Sequence, residues 1–132
     1  MKSVFVDSSA FYAVLTTTDP FYPQARALFE QAERERWTLL TTNYVVHETW
    51  ALLQARMGWK AVDDFLDVFL PLCRVEFVDP VLHAAGVARC RQAHLRELSL
   101  TDCVSFEFMR THDITEAIAH DAHFAHEKIA LP

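Results

Sequence analysis

Short apolar runs alternate with longer amphipathic segments along this chain, and that alternation leaves few folds open. Ser3 to Val6 is an apolar run ending at Asp7 and predicts a buried strand. Trp37–Thr41, Val75–Val78 and Glu116–His120 repeat the pattern, and Lys128–Leu131 is a possible fifth strand. Between them lie segments with helical spacing: Ala10–Leu15 after a cap at Ser8 or Ser9, Gln24–Glu35, Tyr44–Met57 after a cap at Asn43, and Trp59–Leu70 up to Pro71. Pro80 opens a further helix to Ala93, and Thr101–His112 is the last. Strands joined by helices predict an α/β fold: a short parallel sheet of four to five strands, flanked by helices on both faces. The 132 residues fit one domain, 1–132, with no repeat or linker.

Gly58 and Gly86 are the only glycines, which excludes chemistry built on a glycine-rich phosphate cradle. The net charge of −6 is the wrong sign for binding nucleic acid by charge alone, unless several acids gather and are neutralised by metal. Cys73, Cys90 and Cys103 lie in apolar stretches without CxxC spacing and read as core packing rather than a disulfide or zinc site. Asp7 interrupts what a signal peptide would keep apolar, and no run nears the ~20 apolar residues that span a bilayer. The chain reads as cytoplasmic, with no membrane partner.

Functional groups in open parallel sheets gather beyond the carboxyl ends of the strands. Asp7 ends the first strand and Asp121 the fourth; taken alone, the first is equally well a helix cap and the second a loop acid. Glu48 lies on the edge of the stripe formed by Val45, Thr49 and Leu52, widened by Val46 and Leu53, where a helical wheel offers no reason for an acid. A buried carboxylate there requires an Arg, a proton or a metal. Asp102 opens the last helix, where the macrodipole favours an acid by about 0.3–1 kcal/mol, and it shares a face with Phe106 and Met109. Strand end, inward helix face, helix mouth and strand end together form a carboxylate-only set suited to Mg²⁺ or Mn²⁺.

Four segments, V-F-V-D-S-S-A-F-Y-A-V, T-T-N-Y-V-V-H-E-T-W-A-L-L, L-S-L-T-D-C-V-S-F and A-I-A-H-D-A-H-F, resemble in order the acidic motifs of PIN-domain proteins. The similarity is greatest to VapC-like toxins of type II toxin–antitoxin pairs, and it spans essentially the whole chain. The resemblance implies a PIN fold and an endoribonuclease that cleaves single-stranded RNA with Mg²⁺ or Mn²⁺. Carried over, Asp7 and Asp102 are the principal metal ligands, and Glu48 and Asp121 complete the cluster directly or through water. Ser9 matches a small polar position that hydrogen-bonds within the site. A homodimer and a cognate antitoxin that occludes the acidic pocket are also implied. Two positions depart from the pattern: Ala119, where many relatives have Thr or Ser, and His123, where some have another acid.

A metal held this way would activate a water against the phosphodiester, so no side-chain nucleophile is needed. Arg34, Arg36, Lys60, Arg89, Arg91, Arg96 and Arg110 are the candidates for phosphate contacts. Three alternatives remain. The chain could be a non-catalytic PIN-like binding module. His120, His123 and His126 could form a transition-metal site, although residues three and six apart on a helix do not converge. Asp7 could be a covalent nucleophile as in haloacid-dehalogenase-like enzymes, which want a second Asp where this chain has Ser9.

Overall fold

The computed structural model describes all residues from Met1 to Pro132. Strand β1 (Ser3–Val6) is the inner strand, and Val4, Phe5 and Val6 are wholly buried on both faces. Strand β2 (Thr38–Thr42) pairs with it in parallel, with Val4 opposite Leu39 and Phe5 opposite Leu40. On β1's other side runs β4 (Ala117–Ile118), and beyond β2 lies β3 (Cys73–Glu76). The order β3-β2-β1-β4 is parallel throughout. Thr41 supports β1 at its end: its buried hydroxyl donates to the Val6 carbonyl at 2.9 Å.

Seven helices flank the sheet: α1 (Ser8–Val14), α2 (Tyr22–Glu35), α3 (Asn43–Arg56), α4 (Trp59–Asp64), α5 (Pro80–Ala93), α6 (Leu100–Thr111) and α7 (Ala122–His126). Phe11, Phe29, Phe65 and Phe69 interlock on one side, with Phe11 and Phe65 edge-to-face at 4.9 Å and Phe29 and Phe69 at 5.6 Å. Phe5 and Phe108 meet at 5.8 Å. No helix is long and apolar enough to cross a membrane.

The structure corrects several boundaries. The segment after Trp59 does not remain α-helical to Leu70; it opens into a π-helical turn at Phe65–Phe69 and a 3₁₀ turn at Leu70–Leu72 that contains Pro71. The fifth strand shrinks to one bridge between Glu116 and Ala130. β3 begins two residues before Val75 and stops before Val78, whose amide donates to Asn43 Oδ1 at 2.7 Å rather than to a strand. Asn43 is therefore occupied elsewhere, and Thr42 caps α3 through the Val45 amide.

Candidate functional site

Asp7 follows the last residue of β1 and keeps an extended backbone before α1 begins. It caps that helix itself, in place of Ser8 or Ser9, because the cap falls on the extended residue before the first turn. Its Oδ2 accepts from the Ser9 amide at 3.2 Å and from Ser9 Oγ at 2.7 Å. Its Oδ1 is buried with no hydrogen-bond partner. Ser9 Oγ also accepts from the His120 amide at 2.9 Å, tying the end of β1 to the chain just past β4.

Glu48 lies, as the wheel predicts, at the edge of α3's buried face, formed by Val45, Thr49 and Leu53. Leu53 rather than Leu52 is the fully buried member. Glu48 Oε2 is buried and unpartnered, the second such oxygen in the molecule. Asp102 opens α6 in a capping box: its amide donates to Ser99 Oγ at 3.0 Å, and the Ser99 amide donates to Asp102 Oδ2 at 3.1 Å. Only 6% of Asp102 is exposed, and Phe106 and Met109 are buried on the same helix. Asp121 caps α7 by accepting from the His123 amide at 2.8 Å.

The four carboxylates come close enough to repel one another. Burial first, and then Asp102, raises Asp7 from 3.8 to about 6 despite the hydrogen bonds from Ser9. Burial likewise raises Glu48 from 4.5 to about 7, reinforced by Asp7, Asp102 and Asp121 and eased by the Thr101 hydroxyl. Asp102 is raised chiefly by burial, with Asp121 adding to it and the Ser99 bonds and His123 opposing it. All three shifts have one main cause: negative charge is withdrawn from water by burial.

Each aspartate turns one oxygen onto a helix N-terminus, and no three His, Cys, Asp or Glu side chains converge as a finished ligand set. The residues nonetheless fit a hard cation. Every donor is a carboxylate oxygen, two are orphaned, and Mg²⁺ keeps several waters while binding one or two carboxylates directly.

The histidines are dispersed. His120 stacks on Phe21 with ring centroids 4.6 Å apart, His123 is half-buried near Asp102, and His126 is exposed. Among the basic candidates, Arg89 pairs with Glu107 and Glu127, Arg110 with Glu107, and Lys60 with Asp64. Sequence reasoning began the last helix at Thr101 and did not single out Ser99 as its cap or Thr101 as a neighbour of Glu48. The S-x-x-D spacing from Ser99 to Asp102 carried the signal for the true cap.

A family model of the PIN domain matches residues 4–128. The chain is 31% identical over 123 residues to the 23S rRNA-specific endonuclease VapC20 of Mycobacterium tuberculosis, covering 92% of each. The crystal structure of VapC20, described as a sarcin–ricin loop cleaving toxin, matches with a TM-score of 0.85 at 30% identity over 96% of each chain. VapBC2 from Rickettsia felis, bound to a promoter DNA fragment, shares the fold with a TM-score of 0.68 at 10% identity, over 98% of this chain and 96% of that one. FitAcB from Neisseria gonorrhoeae does so with a TM-score of 0.66 at 15% identity, over 97% and 95%.

Proposed function

The chain belongs to the PIN-domain family, and on that footing we propose that it is an endoribonuclease dependent on Mg²⁺ or Mn²⁺, acting as the toxin of a toxin–antitoxin pair. One observation carries the reading: Asp7 Oδ1 and Glu48 Oε2 are buried without partners inside a cluster of four acids at the carboxyl rim of the sheet. A buried polar atom left unpaired costs about 1–3 kcal/mol, more when charged. A divalent cation relieves both that cost and the mutual repulsion. Its hard-oxygen preference matches this donor set and not a histidine or thiolate site.

On this reading Asp7 and Asp102 hold the cation directly, and Glu48 and Asp121 complete the cluster directly or through water. When bound, the cation lowers the pKa of a water and stabilises charge developing on a phosphodiester. The chain's own residues determine the geometry. Ser9 clamps Asp7 Oδ2 and leaves the buried Oδ1 without a hydrogen-bond partner, and the Ser99 capping box fixes Asp102. Of the basic residues singled out in the sequence, Arg34, Arg36, Arg91 and Arg96 make no ion pairs and are free for RNA phosphates. The likeness to VapC20 supports a ribosomal RNA substrate. The toxin reading adds a homodimer and an antitoxin partner.

The test is cleavage of an RNA carrying the 23S sarcin–ricin loop, beside an unrelated single-stranded RNA. Cleavage should require Mn²⁺ or Mg²⁺, stop with chelator, and be lost in Asp7→Asn. Undiminished cleavage by the folded variant, or in the presence of chelator, overturns the reading. Light scattering tests the dimer, which should have twice the chain mass.

A further inference from the structure

Cys90 on α5 and Cys103 on α6 meet with their sulfurs 2.8 Å apart. That is less than 1 Å longer than the ~2.0 Å of a disulfide bond. Gly86, one turn before Cys90, explains the approach: a Cβ there would lie 2.4 Å from Val104 Cγ2 and 3.2 Å from the Val104 Cα and N. The absent side chain lets α5 lie against the backbone of α6, and Cys103 is the residue before Val104. Cys103 is fully buried and Cys90 half-buried.

The pair also sits where it can affect the acidic cluster. Cys90 Sγ lies 3.3 Å from the Ser99 carbonyl, and the same carbonyl accepts from the Cys103 amide at 3.1 Å. Ser99 is the residue whose capping box holds Asp102. We propose that Cys90 and Cys103 form a site of reversible thiol oxidation, a disulfide that locks α5 to the first turn of α6 directly beside Asp102.

The oxidant is a low-molecular-weight disulfide. The half-buried Cys90 loses its proton and attacks one sulfur, forming a mixed disulfide and releasing one small thiolate. Cys103 then gives up its proton, its sulfur attacks Cys90 Sγ, and the second small thiolate leaves. The two protons pass to the two thiolates. Two protein thiols are oxidised by two electrons, and one small disulfide is reduced to two thiols. Cys73 on β3 takes no part; its sulfur lies 3.9 Å from the Phe69 carbonyl. The bond forms independently of RNA cleavage.

The experiment treats the full chain with oxidised glutathione and counts alkylatable thiols by intact mass. The count should fall from three to one, with a mass loss of two hydrogens, and a dithiol reductant should restore it. In Cys73→Ala the count should fall from two to zero, and in Cys90→Ser no internal bond should form. Oxidation should raise the melting temperature by about 5–10 °C. A glutathione adduct persisting on Cys90, three thiols remaining, a bond that involves Cys73, or an oxidised form no more stable than the reduced one overturns the proposal. Because Cys73→Ala retains both sulfurs, a Cys90→Ser variant that fails to fold leaves the test intact.

Discussion

Asp7 and Asp121 do the same local job in different settings. Each follows a parallel strand and caps the next helix. Asp7 ends the inner strand β1, is 2% exposed and keeps one oxygen without a partner. Asp121 follows the edge strand β4 and is only half-buried, with the His123 amide on one oxygen. An inner strand has neighbours on both sides, so the chain leaving it is faced by Glu48 from α3 and Asp102 from α6. Strand position therefore decides whether a capping acid is an ordinary cap or a strained charge.

That contrast can be broken by mutation. Asp7→Asn keeps a capping oxygen but removes the charge, and should reduce cation-dependent cleavage by roughly 100-fold or more. Asp121→Asn should reduce it by clearly less. Equal losses would mean that depth is irrelevant.

The second test is pH. Asp7 is raised from 3.8 to about 6, foremost by burial, so the folded chain binds that proton more tightly than the unfolded chain. Stability from this group is fully present below the unfolded value and is lost as pH rises towards the folded one. Between about pH 4 and 7 the cation-free protein should lose on the order of 3 kcal/mol through Asp7 relative to Asp7→Asn. Melting curves of the two proteins across that range measure it; parallel curves would refute it. Glu48, raised to about 7, extends the loss to higher pH.

Ser9→Ala sharpens the comparison, because Ser9 touches both strand ends. It should destabilise the fold by about 1–3 kcal/mol and push Asp7 further upward, read as a shift of the pH profile. The smallest effect is expected at Asp121→Ala, which forfeits a cap worth about 1 kcal/mol. Urea melts should show Asp121→Asn nearly unchanged beside it.

Much of this arrangement was legible in the residues. The bounds of α5 follow from Pro80 at its first turn, and the half-buried place of Glu48 follows from the periodicity of α3. Both signals are local. The cap of α3 falls on Thr42 rather than Asn43, and that of α1 on Asp7 rather than Ser8 or Ser9, because the cap belongs to whichever residue remains extended. The unwinding at Phe65–Phe69 accompanies packing against α1 and α2, which no wheel contains. Cys90 and Cys103 read as separate core residues, since their meeting depends on Gly86 and Val104 from two different helices.

The clamp that Ser9 places on Asp7 also decides where a proton can sit. Oδ2 faces only donors, the Ser9 amide and the Ser9 hydroxyl, and that hydroxyl accepts in turn from the His120 amide. A proton on Asp7, favoured by its burial, therefore falls on Oδ1, the buried oxygen without a hydrogen-bond partner. On the proposed reading a cation would compete with that proton, and acidity should weaken its binding. A serine two residues along the chain would thus make acidity an inhibitor of the proposed cation site.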